Sequence, residues 1–306
     1  NTLYPELINQ LNFVSEIKIK SGKKSITVKK KNTSWVLIES DNFPAKPEVV
    51  KKILLQVARL SILEKKTKSN RGHKVLGVNE LDEDGIPRRQ ITLLNEGGVS
   101  FVDFIVGKNV DQDRKVRHYI RQSKDDQSWI SEGNLDFSAE PVDWFDSKIM
   151  DIDPESIKSI QIIGNDGSSI LVNKADSSQT FLQLQNIPDD QKARSTTLIS
   201  SFASLLSDMR FNRVLSSDRL KGKVPIRETT ASTFENLKII MKDYLIEKDV
   251  FTSFDFEKIV EGSESENRLE EIEAYREKTK QWIYQLPKYK RRIMERQFKN
   301  LIWPKD

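Results

Sequence analysis

Alternation of apolar and polar residues sets in at Val14. In Val14-Ser-Glu-Ile-Lys-Ile19 the apolar side chains fall on one side of an extended chain, a Ser-Gly pair follows, and Ser25-Ile-Thr-Val28 resumes the pattern before a polar turn and Trp35-Val-Leu-Ile38. A period of two, bounded by turn formers, predicts half-buried strands joined as hairpins. The period then changes. Val50, Ile53, Leu54, Val57 and Leu60 are spaced for one face of a helix that starts near Pro47, a residue suited to a first helical turn. Residues 90–95 and 99–106 flank Glu-Gly-Gly as a hairpin would, and 116–121 and 128–131 supply two further strands.

The series recurs in the second half. Lys158-Ser-Ile-Gln-Ile162, an Asn-Asp-Gly turn, Ser169-Ile-Leu-Val172, a polar turn and Phe181-Leu-Gln-Leu184 repeat the opening at nearly constant spacing, Val14 answering to Ile157 and Pro44 to Pro188. Leu198, Ile199, Phe202, Leu205 and Leu206 offer the helical stripe, and residues 237–241 and 251–256 the later strands. Both halves close on a Trp-Ile pair, Trp129-Ile130 and Trp282-Ile283, followed by a segment that a proline opens, 141–152 and 287–302. Self-similarity of this length predicts a duplicated unit. The expected fold class is α+β: two tandem repeats of a mainly antiparallel sheet with packed helices, each reading strand-strand-strand-helix-strand plus a second strand set. The expected domains are 1–153, with an N-terminal helix, and 154–306, with an inserted acidic helix at about 264–280 and a C-terminal amphipathic helix at about 288–302.

Charge refines this picture without redirecting it. Fifty basic against 46 acidic residues leave a net charge of +4, too small a surplus to imply a nucleic-acid partner. On the first two strands, however, Lys18, Lys20, Lys29 and Lys31 share one face, without the interleaved aromatics a base-stacking platform needs. Such a face keeps a sheet soluble, or meets an acidic partner or phosphate-rich headgroups. In the C-terminal segment Lys288, Lys290, Arg291, Arg292, Arg296 and Lys299 surround an apolar stripe of Tyr289, Ile293, Met294, Phe298, Leu301 and Ile302. Three roles fit that pattern: a cap on the second sheet, contact with an anionic membrane, or docking of a partner. Capping ranks first, because the duplication supplies an equivalent segment.

Reactive chemistry is sparse. Cysteine is absent, which removes disulfides and thiolate chemistry, and only His73 and His118 are imidazoles. No Gly-rich phosphate loop, nucleophile elbow or zinc-binding helix occurs. The acidic run Glu80-Leu-Asp82-Glu-Asp84-Gly85 fails as a calcium loop, since Ile91 stands where a bidentate Glu is required. Ser21-Gly-Lys-Lys24 reads as a hairpin turn, the pairs Asp111/Asp113 and Asp125/Asp126 as solvated loops, His118 as a packed strand residue and His73 as part of a surface loop. The expectation is therefore a binding or scaffolding module rather than an enzyme, ranked ahead of a hydrolase working through such a carboxylate pair, with no cofactor and no metal. No apolar run reaches the ~20 residues of a membrane-spanning helix.

Several short words then fall in a characteristic order: Tyr4-Pro-Glu-Leu, Leu11-Asn-Phe-Val, Trp35 through Phe43-Pro44-Ala45, Leu76-Gly-Val78, Ile105-Val-Gly107, Tyr119-Ile-Arg121, Ser128-Trp-Ile130 and Trp282-Ile-Tyr-Gln-Leu-Pro-Lys-Tyr289. In this series the chain resembles the bacterial family catalogued as domain of unknown function 4340. The resemblance implies an N-terminal membrane anchor ahead of Asn1, a body on the extracytoplasmic face of the inner membrane, and association with ABC-type transporters related to those of gliding motility. Transporter subunits or other envelope proteins are then the expected partners, with an anionic lipid or polysaccharide as the alternative. The family brings no established catalytic or ligand residues, so none is carried over.

Overall fold

The structure, a computed structural model, describes residues 1–80, 88–110, 115–259 and 266–305. Helix and antiparallel sheet are mixed, and the chain divides into two units, Asn1–Asp146 and Ser147–Asp306. The division precedes the Asp153-Pro154 boundary expected from sequence. The reason is local: Lys148–Met150 pairs as a strand with Met209–Arg210, which ties it to the second unit.

In the first unit a short helix, α1 (Leu7–Gln10), leads into β1 (Val14–Ser21), β2 (Lys24–Lys31), β3 (Ser34–Leu37) and β4 (Phe43–Pro44). Then come α2 (Pro47–Ala58), β5 (Ser61–Lys65), α3 (Asn70–Leu76), β6 (Arg89–Asn95), β7 (Ser100–Asn109), β8 (Arg117–Gln122) and β9 (Ser128–Glu132). They form one antiparallel sheet in the order β4-β3-β2-β1-β6-β7-β8-β9-β5. The alternation does what its period requires: Ile17, Ile19, Ile26 and Val28 are buried while the lysines between them are exposed. Gly22 turns the β1–β2 corner at φ +57°, a left-handed conformation that costs glycine little. On α2, Val50, Ile53, Leu54 and Val57 are buried, each side chain contributing about 1.5–3 kcal/mol.

After α2 the chain does not return beside β4. It crosses to the opposite edge, where β5 pairs with β9. The first residues lie along the outer side of β5, with Leu3 N donating to Leu60 O and Ile62 N to Asn1 O, both at 2.8 Å.

His73 departs from expectation. It is buried within α3, its Nε2 2.7 Å from the Asp126 carbonyl oxygen, and does not sit in a surface loop. The cause is a pair of helix punctuation marks: Ser69 Oγ accepts from Gly72 N at 3.2 Å, and Gly77 ends the turn at φ +73°. Asp125 and Asp126 are exposed as expected, whereas the acidic run Glu80 to Gly85 beyond its first residue, and Asp111/Asp113, lie outside the described residues.

The second unit opens with β10 (Lys148–Met150), β11 (Ile157–Gly164), β12 (Ser169–Asn173), β13 (Gln183–Leu184) and β14 (Gln191–Ala193). Next are α4 (Thr196–Ser200), continued by a 3-10 segment Ser201–Leu205, then β15 (Met209–Arg210), β16 (Arg213–Ser216), β17 (Arg227–Thr233), β18 (Leu237–Ile246) and β19 (Asp249–Lys258). It finishes with α5 (Glu266–Thr279), β20 (Trp282–Gln285), α6 (Lys288–Met294) and β21 (Ile302–Pro304). The large sheet runs β13-β12-β11-β17-β18-β19-β20-β16. Again the first strand of the large sheet after the helical segment, β16, lies at the far edge, beside β20. Both opening strands carry a register irregularity at their start, Val14/Glu16 on β1 and Ile157/Ser159 on β11.

Two expectations about the closing segments of the two halves need correction. The amphipathic helix stops at Met294 instead of running to Ile302, because Ile302-Trp303-Pro304 pairs with Gln191-Lys192-Ala193 and its backbone is consumed in that small sheet. The segment 141–152 is not one cap but two pieces: a 3-10 turn Pro141–Trp144 that buries Trp144 in the first unit, and β10 in the second.

His118, on β8, is buried, with Nδ1 3.0 Å from Asn109 Oδ1. Burial, helped by the Arg89 charge, holds its pKa below the ordinary imidazole value. A group held neutral in the fold gives stability that is complete above the unfolded imidazole pKa of about 6.5 and declines as pH falls below it. Urea midpoints measured at pH 7.5 and 5.5 should therefore drop for the parent chain and drop less for His118→Gln.

Candidate interaction surface

The lysine row forms as the alternation requires. Lys18 stands opposite Thr27, Lys20 opposite Ser25 and Lys29 opposite Glu16, so these side chains leave the outward face of the β1–β2 hairpin, and Lys18, Lys20, Lys29 and Lys31 are all exposed. Glu16 lies among them, 2.8 Å from Lys18 Nζ and 3.5 Å from Lys29 Nζ. The hydrogen bond from Lys18 holds the Glu16 carboxyl below its ordinary range. Exposed pairs of this kind are worth roughly 0–1 kcal/mol, so they orient the row without committing it. Lys20 and Lys31 make no ion pair among the described residues.

The basic residues near the C-terminus do not form one surface. Lys288, Arg292 and Lys299 are exposed. Lys290 is buried, at 3% exposure, and its Nζ donates to the carbonyls of Ser204 (2.6 Å) and Ser207 (2.5 Å), while burial lowers its pKa. Arg296 is half-buried, donating through Nη1 to Leu198 O (3.0 Å) and Ser201 Oγ (2.8 Å), with its guanidinium 4.7 Å from the Phe202 ring. Arg291 Nε is buried without a hydrogen-bond partner. Lys290 and Arg296 thus tie the C-terminal segment to the 3-10 region that follows α4. The sequence did not separate them from their solvated neighbours, because a long aliphatic stem lets either residue reach buried carbonyls.

One constellation escaped the sequence reading altogether. On β18 the buried positions Leu237, Ile239 and Met241 continue to Asp243, which is 2% exposed. Asp243 Oδ2 accepts from Arg227 Nη1 at 2.8 Å and Oδ1 from Thr252 Oγ1 at 2.7 Å. Burial holds the Asp243 carboxyl above its ordinary range, and the bonds from Thr252 and Arg227 offset only part of that rise. The readable signal was an acid at the next core position of an alternating strand. In the first unit Asp103 is likewise held by neighbours, accepting from Gln90 Nε2 (2.7 Å) and Ser123 Oγ (2.6 Å). These acids are engaged by cross-strand partners that fix the sheet. Among the described residues no group of three or more His, Asp or Glu side chains could hold a metal ion, and no helix is long and apolar enough to cross a membrane.

A family model described as domain of unknown function (DUF4340) matches residues 35–226. No curated protein matches the chain.

Removing one member of a buried ion pair strands the other. Asp243→Ala should lower the unfolding free energy by about 3–5 kcal/mol, and Thr252→Val by about 1–2 kcal/mol, both read by chemical denaturation.

Proposed function

The chain belongs to the family described as domain of unknown function (DUF4340), and from that premise we propose that it is a non-catalytic accessory subunit, a scaffold that docks a partner protein of an ABC-type envelope transporter on the extracytoplasmic side of the membrane. We read its halves as tandem copies of one unit. Three features support that reading: the matching strand orders apart from β4, the far-edge placement of β5 and β16, and the irregularity shared by β1 and β11. Two copies of one sheet give a chain two related surfaces for assembly.

The observation that carries the docking role is the outward face of β1 and β2. Four lysines stand there on a hairpin whose other face is packed, so the charges are held on a rigid support rather than a loop. A fixed row of this sign steers and orients an acidic partner surface more than it adds affinity. The engaged acids support the non-catalytic part of the reading, since Asp243 and Asp103 are taken up by neighbouring residues of their sheets. Purification of the full-length protein from native membranes should recover a transporter membrane subunit with it, and Lys18→Glu/Lys20→Glu/Lys29→Glu/Lys31→Glu should lose that subunit while remaining folded. Recovery of the parent protein alone would overturn the proposal.

A second reading, an anionic lipid or polysaccharide held by the same face, is favoured by Lys20 and Lys31, whose charges no acid neutralises among the described residues. Flotation with phosphatidylserine vesicles should then fall steeply between 50 and 300 mM salt. Absence of flotation at low salt would remove this reading.

A further inference from the structure

Arg89 and Arg227 occupy the same place in their respective sheets. Arg89 opens β6 opposite Ser21 and beside Val106; Arg227 opens β17 opposite Gly164 and beside Asp243. Their guanidinium groups are spent differently. Arg89 donates through Nη1 to the carbonyls of Leu135 and Phe137, 2.9 Å each, and lies 4.9 Å from the Phe137 ring, so the segment after β9 is drawn onto the end of the sheet. Arg227 is turned inward onto Asp243, and the segment after α6 stands off, leaving a cavity of about 220 Å³ between that segment and the β11–β12 turn. Where the first unit is apolar across three strands at Val106 and Ile120, the second is polar at Asp243 and Thr252. Burying that polar row is costly, and the hydrogen bonds from Arg227 and Thr252 to Asp243 offset the cost.

Three properties of the wall define what fits. Volume comes first: a dry cavity of about 150 Å³ takes up benzene, so 220 Å³ admits a six-membered ring with polar substituents. Charge comes second. Arg227 and Arg296 are matched by Asp166 and Glu295, with Asp243 behind Arg227, which leaves no surplus cation to hold a free anion. Third is the mixture of groups: Asn165, Ser168 and Gln297 each both donate and accept, and Ile162, Ile170 and Met294 add apolar lining. Vicinal hydroxyls on a ring with an apolar C–H face satisfy all three.

We propose that the cavity between the β11–β12 turn and residues 294–298 binds one neutral pyranose unit, free or terminating a glycan. The site lies on the second unit alone and stands independently of the docking role assigned to the lysine face.

Saturation-transfer NMR on the purified chain tests it, with glucose, galactose and N-acetylglucosamine as free sugars, a neutral trisaccharide as the glycan arm, and glucuronate as the charged counterpart. At least one neutral ring should receive saturation, and a stronger signal from the trisaccharide's end residue than from the monosaccharides would assign the site to glycan ends. Gln297→Trp, which fills the rim, should weaken binding at least tenfold, Asn165→Ala should weaken it less, and Lys299→Ala should match the parent, with circular dichroism confirming the fold of each. If Gln297→Trp fails to fold, Asn165→Ala decides. No transfer to any neutral sugar, preference for glucuronate, or indifference to both rim substitutions would overturn the proposal. Because the chain is tested alone, a negative result in the co-purification leaves this one untouched.

Discussion

The structure depends on one kind of long-range pairing: the opening strand of each unit holds its place only when a hairpin far along the chain arrives beside it, β6 beside β1 and β17 beside β11. Closing a loop of that length costs chain entropy that grows slowly with its size, so the intervening residues are free to build something. In both units they build a helical segment and then a strand that docks at the opposite edge. Pairing of this non-local kind folds slowly, and the fully apolar positions on β1 and β11, Ile17, Ile19, Ile160 and Ile162, are what reward it.

Within that frame the two sheets differ in one row across three strands, among other places. Arg89, Val106 and Ile120 in one become Arg227, Asp243 and Thr252 in the other. With valine opposite, the guanidinium reaches outward to backbone carbonyls and seals the sheet end. With aspartate opposite it is captured on the sheet, and the segment after α6 is held instead by Arg296 on Leu198 and Ser201. At this register position the guanidinium is taken up by backbone carbonyls in one sheet and by a carboxylate in the other.

Strand alternation and the α2 stripe were legible because period and burial are the same fact seen twice: Ile17, Ile19, Ile26 and Val28 go inward because their neighbours cannot. The fate of the C-terminal segment was not. Its apolar spacing suits a helix through Ile302, yet pairing with Gln191-Lys192-Ala193 outweighs local preference, and no residue in the segment announces a partner so distant in sequence. Lys290 looked like its exposed neighbours for the same reason, since the carbonyls of Ser204 and Ser207 that fix it belong to another element. His73 was misread for a different cause: the serine cap and glycine stop of α3 were present in the sequence and went unused. Asp243 needed only the continuation of a pattern already traced to Met241.

The laying of residues 1–3 along β5 has a mechanical consequence. Tension applied at Asn1 meets the hydrogen bonds from Leu3 N to Leu60 O and from Ile62 N to Asn1 O before it meets anything else. These bonds lie on the outermost edge of the sheet, and behind them β5 is itself joined only to β9. Once residues 1–3 have come away, the load passes through α1 straight to β1 in the middle of the sheet, so this rim contact is what stands between a pull at the N-terminal end and the central β1–β6 pairing.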